Sequence, residues 1–396
     1  MMPQTEKKRI NPYILLFICA MLFLAAGFRG EFFRQTKANL ADLRTGLDYG
    51  NADSISSFID KTDKLATETL RYHNRMLDLD SAKENLLGTR IVSTEDATVV
   101  KTDSGRLIDP YQELKEDSIK EAADEVQRIQ QLADNIGAEF LCCSVPWGGV
   151  YETTPPNIPN YDRAHYDAFT EEIRGRNIPY LGMVEVFREQ GLPEETLFFR
   201  TDHHLQPAAG FAVYQAICKE LHDRYGFQPD QEAVDGSNYK TDTYENWFLG
   251  SYGKKVGRFF TWDGAEDFEV ITPDFPTDFT ETVAGREEIR TGAFEETMLY
   301  PEYLGKDYYH AKNYCVYSGG DFHLQVIRNN LRPEGPKILV VRNSFACVVT
   351  PFLALQAGEL HVIDDRDAEH VFGPKADLES YLDGVKPDYV VVLKAF

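Results

Sequence analysis

The stretch Lys337-Ile338-Leu339-Val340-Val341-Arg342-Asn343-Ser344-Phe345 decides the fold of this 396-residue chain. Its short apolar run, rich in β-branched residues, is typical of a strand buried within a parallel sheet. Ser344 follows that strand, at the edge where open α/β sheets bind their ligands. The next residues can begin a helix whose free amide groups could stabilise an oxyanion. The stretch predicts an α/β protein with a candidate nucleophile, although the same serine could serve only as a helix cap.

A second polar stretch, Thr201-Asp202-His203-His204, lies far upstream and precedes a helix that opens at Pro207. In an extended backbone, side chains two residues apart face the same way, so Asp202 can orient His204 while His203 points elsewhere. A histidine oriented in this way is the base that a serine nucleophile needs. On local pattern alone, these side chains could also be ordinary polar loop residues.

Segments typical of strands and helices alternate along much of the chain. Residues 111–136 and 161–174 show helical periodicity, while residues 138–145, 360–363 and 389–393 are typical of strands. This alternation predicts a doubly wound, mostly parallel sheet. Between about residues 235 and 309, aromatic and β-branched residues dominate, which predicts a β-rich insertion within the α/β core.

The first thirty residues differ from the rest. A basic cluster at residues 7–9 precedes an uncharged, apolar run from residue 13 to residue 28, which suits either a short membrane span or a signal sequence. Basic residues on the amino side predict that this end stays in the cytoplasm. We expect residues 1–30 to be a single-pass membrane anchor or signal segment and residues 31–79 a helical stalk. Residues 80–396 would then form a catalytic domain outside the cytoplasm.

The composition excludes some classes of protein. A hydrophobic content of 43% with 27% charged residues is typical of a folded globular chain. The net charge of -23 argues against nucleic-acid binding, which requires clustered Lys and Arg. The six cysteines follow neither a disulfide framework nor a zinc-binding spacing.

The segment from Phe198 to His204, followed by a helix that contains Gly210-Phe211, resembles the signature of the bacterial DHHW proteins. These are relatives of the SGNH-hydrolase-like domains of alginate O-acetyltransferases. The resemblance continues more loosely through Gly250-Ser251-Tyr252-Gly253 and Asn343-Ser344-Phe345. It implies an SGNH-hydrolase-like fold.

The resemblance also implies that Asp202, His204 and Ser344 match the catalytic aspartate, histidine and serine of the family. Two positions depart from its pattern: Leu205 stands where the family has Trp, and Asn343 stands where it often has Asp. The first departure bears on a substrate contact, and the second bears on the electrostatic field at Ser344.

Three further residues are weaker candidates for binding substrate. Trp147 could stack on a sugar ring or simply cover the core. Ser251 is a rival nucleophile on paper, but it lacks the strand-turn-helix setting of a nucleophile, and its neighbouring glycines instead allow close backbone approach. Arg366 could hold substrate or form a structural salt bridge.

Ser344, His204 and Asp202 together predict acyl transfer through an acyl-serine. Transfer to a sugar hydroxyl would make the protein an O-acetyltransferase, and transfer to water would make it a carbohydrate esterase. The resemblance favours an exported polysaccharide as acceptor and implies a membrane-bound O-acyltransferase partner. A non-catalytic polysaccharide-binding subunit is the alternative that Leu205 and Asn343 favour. A metal-dependent hydrolase is a third alternative, since Asp202, His203 and His204 could ligate zinc, but no HExxH-type spacing supports it. We therefore expect neither a cofactor nor a metal.

Overall fold

The computed structural model describes residues 30–48, 72–94, 96–364, 366 and 378–396, with several positions between 54 and 70. The predicted membrane or signal segment lies outside these residues, apart from Gly30 at its end. Within the described part of the chain, every helix is too short or too polar to span a bilayer.

The chain divides into two compact units, Met1–Lys83 and Glu84–Phe396. In the first unit, α1 (Gly30–Asp48) occupies part of the segment that we predict to be a helical stalk. A second helix, α2 (His73–Leu86), begins in the first unit and ends in the second.

The second unit contains the remaining elements. Its helices in chain order are α3 (Glu116–Ile136), α4 (Asp162–Gly175), α5 (Met183–Glu189), α6 (Pro207–Tyr225), α7 (Gln231–Val234), α8 (Ser251–Val256), α9 (Phe294–Thr297), α10 (Thr350–Ala354) and α11 (Leu378–Val385). Its strands are β1 (Ile91–Ser93), β2 (Thr98–Lys101), β3 (Leu107–Ile108), β4 (Glu139–Val145), β5 (Tyr180–Gly182), β6 (Tyr239–Phe248), β7 (Glu266–Pro273), β8 (Phe279–Val283), β9 (Ile289–Gly292), β10 (Leu324–Asn329), β11 (Lys337–Arg342), β12 (Glu359–Asp364) and β13 (Tyr389–Ala395).

The main sheet has eight strands in the order β5-β4-β13-β11-β12-β10-β8-β9. The five strands from β5 to β12 in this order run parallel to one another. The other three extend the sheet through antiparallel pairs. The α/β fold is therefore confirmed, but the sheet is mixed, with an antiparallel side that the strand-helix alternation did not predict.

Both faces of β11 and β13 are buried, which explains the β-branched composition of these two central strands. Successive residues of β11 alternate between two hydrophobic cores: Ile338 and Val340 pack into one, and Leu339 and Val341 into the other. The first core includes residues of α6 and α10, and the second includes residues of α3, α4 and α11. With helices on both faces, β11 lies at the centre of a doubly wound sheet, and its carboxyl end carries the candidate nucleophile.

The segment predicted to be a β-rich insertion has two parts. Strands β6 and β7 form a separate antiparallel pair with an irregularity between Tyr244 and Phe248. Strands β8 and β9, in contrast, join the edge of the main sheet. A third small sheet, β1-β2-β3, precedes the α/β core.

Candidate active site

Ser344 lies just beyond the carboxyl end of β11, where a short 3-10 turn (Ser344–Val348) leads into α10. The end of the strand is fixed by Arg342, whose guanidinium is fully buried. Its Nη1 pairs with Asp321 Oδ1 at 2.6 Å, and its Nη2 donates to the carbonyl oxygen of Gly320 at 2.9 Å. The candidate nucleophile therefore comes two residues after Arg342, a side chain held by contacts with Asp321 and Gly320.

The Asp202-His203-His204 segment is the tip of a tight turn. An antiparallel bridge joins Phe198 to Leu205, and the amide of Phe199 donates to the carbonyl oxygen of His204 at 3.1 Å. The backbone is bent here and not extended, so the expectation that His203 points away from His204 is wrong. Their ring centroids lie only 3.8 Å apart.

The structure brings Asp202, His204 and Ser344 together. His204 Nδ1 lies 2.6 Å from Asp202 Oδ1, and His204 Nε2 lies 2.9 Å from Ser344 Oγ, although the two residues are 140 positions apart in the chain. When Nδ1 carries the proton and donates to Asp202, Nε2 is left to accept the hydroxyl proton of Ser344. This geometry matches the hydrogen-bond relay by which a histidine can activate a serine nucleophile.

Asp202 is a buried carboxylate whose oxygens are all engaged. Oδ1 also accepts the backbone amide of His204 at 3.0 Å, and Oδ2 accepts the amide of Ser251 at 2.6 Å. Burial by itself raises the pKa of Asp202, but the neighbouring histidines and these hydrogen bonds outweigh it and hold the pKa below its usual range. Asp202 is therefore ionised and able to orient His204.

Gly250 allows the amide of Ser251 to reach Asp202. A Cβ atom at Gly250 would lie 2.3 Å from Asp202 Cβ and 2.5 Å from the carbonyl oxygen of Thr201, distances that no side chain can adopt. The sequence suggests Ser251 as a weak substrate contact, yet its amide supports Asp202 and its Oγ lies 3.1 Å from His203 Nδ1. The structure therefore places Ser251 behind the carboxylate, at the start of α8.

Glu266, on β7, supports the turn through hydrogen bonds to its backbone. The sequence alone did not identify this residue. Its carboxylate accepts the amides of Arg200 at 2.7 Å and Thr201 at 2.8 Å, and also the Thr201 hydroxyl at 2.5 Å. Burial raises the pKa of Glu266, and these hydrogen bonds oppose the rise. The Thr201 hydroxyl in turn accepts the amide of Gly250 at 2.8 Å, which links β7, the turn and α8.

The imidazole of His204 lies between two other rings. Tyr314 stacks on it with a centroid distance of 3.9 Å and an angle of 18°, and His203 packs against it at 3.8 Å. Two rings at these distances cannot occupy the same face of the imidazole, so Tyr314 and His203 lie on opposite faces of His204. Burial, with a smaller contribution from the neighbouring His204, lowers the pKa of His203 to about 4, which leaves His203 neutral at physiological pH.

Tyr314 also contacts the nucleophile segment, and local sequence gave no signal for it. Its hydroxyl donates to the carbonyl oxygen of Ser344 at 3.1 Å and lies 3.4 Å from that of Phe345. One side chain thus touches both the candidate base and the backbone of the candidate nucleophile.

The two departures from the family pattern have structural explanations. Leu205 is fully buried in the main hydrophobic core and therefore does not face a substrate. The Asn343 side chain donates from Nδ2 to the carbonyl oxygen of Ala395 at 2.9 Å, and its Oδ1 accepts the amide of Ala395 at 3.4 Å. An amide suits this position because it can donate and accept at once.

The other predicted contacts lie in different surroundings. Trp147 is close to the site: its ring packs edge-on against Phe345 at 5.0 Å and lies 5.8 Å from His203. The Arg366 guanidinium instead bonds Asp364 through Nε at 2.8 Å and Asp321 through Nη2 at 3.0 Å. The structure thus favours the salt-bridge alternative for Arg366.

Asp202, His203 and His204 each offer a possible metal ligand, and these atoms lie within 4.8 Å of one another. However, Nδ1 of His204 is bonded to Asp202 and Nε2 is bonded to Ser344. A metal ion would have to displace those hydrogen bonds. The donor set therefore fits a proton relay better than a metal centre.

Residues 109–252 match the SGNH hydrolase-like domain of the acetyltransferase AlgX. The matched region contains Asp202 and His204 and ends before Ser344 is reached. The SGNH-hydrolase-like resemblance inferred from the sequence is thereby confirmed. A search of curated proteins found no match.

Solved structures that share the fold include PatB1 and a DHHW family protein. Bacillus cereus PatB1, determined with a sulfonyl adduct, is 18% identical, with a TM-score of 0.61 over 77% of this chain and 95% of that one. A DHHW family protein from Eubacterium siraeum is 17% identical, with a TM-score of 0.55 over 77% of this chain and 92% of that one. At these identities the likeness concerns the fold alone.

Proposed function

We propose that this protein is an O-acetyltransferase that acts on a polysaccharide through an acetyl-serine at Ser344. The observation that carries the proposal is the chain of contacts from Asp202 through His204 to the Ser344 hydroxyl, at 2.6 and 2.9 Å. A hydroxyl so connected can lose its proton to the imidazole as it attacks an acyl ester.

The reaction has two stages. In the first, His204 takes the proton of Ser344 Oγ while Oγ attacks the acetyl carbonyl carbon, and the proton then passes to the departing alcohol of the donor. In the second, His204 takes a proton from an acceptor hydroxyl, whose oxygen attacks the acetyl-serine, and the proton returns to Oγ. Asp202 stabilises the imidazolium in both stages.

The choice between transfer and hydrolysis depends on which hydroxyl reaches the acetyl-serine. A sugar hydroxyl gives an acetylated polysaccharide, and water gives an esterase. The match of residues 109–252 to an acetyltransferase domain supports transfer.

The same proposal includes the location and the donor. The basic cluster and apolar run at the amino end support a membrane-anchored protein with its catalytic domain outside the cytoplasm. In that compartment, a membrane-bound O-acyltransferase would supply acetyl groups. Co-purification of the full chain with such a protein from detergent-solubilised membranes tests this part.

Hydrolysis of a fluorogenic acetyl ester tests the nucleophile. We expect Ser344→Ala to lower kcat/KM by about 10³-fold or more, whereas Ser237→Ala, at an exposed serine, leaves the rate unchanged. If the folded wild-type protein has no turnover, or if Ser344→Ala retains it, the enzyme proposal is wrong.

Covalent labelling gives an independent test. Ser344 Oγ should attack the sulfur of phenylmethylsulfonyl fluoride and release fluoride, which adds one sulfonyl group to the intact mass. Peptide mapping should place the group on Ser344, and His204→Ala should slow labelling. Acetylation of an added oligosaccharide, as opposed to release of acetate alone, would then distinguish a transferase from an esterase.

A further inference from the structure

A cavity of about 320 Å³ lies beside the triad, and His203 and Ser251 form part of its wall. Both residues contact the triad, since the His203 ring lies 3.8 Å from that of His204 and the Ser251 amide donates to Asp202. Ligand pockets span roughly 300–1,000 Å³. This cavity is at the lower end of that range, and its size suits a single sugar ring.

Aromatic side chains line one part of the cavity: Tyr111, Trp147 and Tyr252. The Trp147 indole is held in place, because its Nε1 donates to the carbonyl oxygen of Phe396 at 3.1 Å and its ring packs against Phe345. The Tyr111 ring stacks on His165 with a centroid distance of 3.9 Å. Fixed rings offer apolar faces that can cover the C–H face of a sugar at little entropic cost.

The charged groups of the cavity are Asp109, Asp162 and Lys255. The ammonium of Lys255 is already paired, since its Nζ lies 2.9 Å from Asp96 Oδ2. Burial raises the pKa of Asp162 to about 6, so Asp162 is ionised at neutral pH. With the ionised Asp202 directly behind His203 and Ser251, the surroundings of the cavity are net negative.

We propose that this cavity is the acceptor subsite and that it selects sugar residues without a negative charge, either neutral hexoses or amino sugars with a free ammonium group. The inference rests on the proposed function, because an acyl-transfer site requires an acceptor, and Trp147 in the cavity wall packs against Phe345, the residue next to Ser344. Carboxylates accept hydrogen bonds from sugar hydroxyls and pair with an ammonium. The carboxylate of a uronate would instead meet two like charges, which lowers its affinity.

Saccharide binding to the Ser344→Ala protein tests the proposal without requiring a donor or turnover. The probes are β-1,4-linked trisaccharides of glucose, glucosamine and glucuronate, titrated by calorimetry near neutral pH. We expect the first two to bind at least about tenfold more tightly than the glucuronate. Failure of the proposed function would show separately, as loss of ester turnover and of sulfonyl labelling in the wild-type protein.

Two sets of variants in the Ser344→Ala background locate the selectivity. Asp109→Asn with Asp162→Asn should reduce the preference against glucuronate to about threefold or less. The side-chain oxygen that remains at position 162 can still accept the Tyr111 amide, which Asp162 Oδ1 accepts at 2.9 Å. Asp124→Asn with Asp134→Asn, at exposed positions on α3, changes the net charge equally and should leave the preference intact.

Trp147→Ala should weaken binding of the glucose and glucosamine probes by about tenfold or more, with Trp147→Phe intermediate and thermal unfolding confirming that both variants fold. The proposal is overturned if glucuronate binds as tightly as the other probes, if no probe binds, or if the α3 variants remove the preference as fully as the cavity variants. Unchanged binding in a folded Trp147→Ala protein would also overturn it.

Discussion

Ser344 and the Asp202–His204 pair meet in one site, but they are held there by different kinds of structure. Ser344 follows β11, which is paired along its length with β12 on one side and β13 on the other. The turn that carries Asp202 and His204 is held by single groups from distant segments, namely the Glu266 carboxylate and the Ser251 amide.

This difference determines how each side responds to substitution. A strand in the middle of a sheet shares its position among many ladder hydrogen bonds, so the loss of one contact moves it little. A turn held by a few separate contacts has no comparable ladder, so the loss of one contact can move it. Single substitutions of supporting residues should therefore reduce activity more on the acid-base side of the site than on the nucleophile side.

Among substitutions of supporting residues, Gly250→Ala should have the largest effect, because its Cβ atom would lie 2.3 Å from Asp202 Cβ. Asp202 and the α8 amide must then separate, and a misplacement of about 1 Å near the reacting groups costs about 10²-fold in rate. We expect kcat/KM for ester hydrolysis to fall by about that factor. Gly384→Ala is the matched control, since nothing lies within 4 Å of its Cβ position. Similar rates for the two variants would show that the approach of α8 to Asp202 is unimportant.

Glu266→Gln tests the support of the turn directly. A glutamine has one accepting oxygen where the carboxylate has two, so it cannot keep all three hydrogen bonds from Arg200 and Thr201. We expect kcat/KM to fall by about 10- to 100-fold. Glu125→Gln, at a partly exposed position on α3, should behave like the wild type. If Glu266→Gln also matches the wild type, the Phe198–Leu205 bridge alone must hold the turn.

Tyr314 contacts both the nucleophile segment and His204, so two variants of this residue can test the two contacts separately. Tyr314→Phe removes the hydrogen bond to the Ser344 carbonyl oxygen but keeps the stack on His204, whereas Tyr314→Leu removes both. We expect losses in kcat/KM of about threefold for Phe and about thirtyfold for Leu. Equal losses for the two variants would mean that the hydrogen bond to Ser344 matters more than the stack on His204. The nucleophile side would then be the more sensitive of the two.

The same difference explains which parts of the site could be predicted from the sequence. Strand β11 and the position of Ser344 follow from a local pattern of β-branched residues. Such a pattern can be recognised from consecutive residues alone, without knowledge of distant contacts. The spacing of Asp202 and His204, together with the family resemblance, identified the other two residues. The error at His203 arose because alternation of side chains requires an extended backbone, and this turn is bent.

The supporting residues could not be found in this way. Glu266 and Tyr314 lie in segments whose local sequence carries no chemical signature, and their roles exist only through contacts 65 and 30 residues away in the chain. The glycine at position 250 did suggest close backbone approach, but the sequence could not say that Asp202 was the partner. The antiparallel side of the sheet escaped prediction for the same reason, since β10 pairs with strands from both before and after it in sequence.

The smallest effect on rate should come from Asn343→Asp, next to the nucleophile. A carboxylate cannot donate to the carbonyl oxygen of Ala395, so the variant loses that hydrogen bond and places a charge beside the oxygen. The loss should lower the free energy of unfolding by about 1–3 kcal/mol, measured by urea denaturation. Because β11 still fixes Ser344, kcat/KM for ester hydrolysis should stay within about threefold of the wild type. A large fall in rate without a loss of stability would instead mean that a charge at position 343 acts on Ser344 through space, and the nucleophile side would then be as sensitive as the acid-base turn.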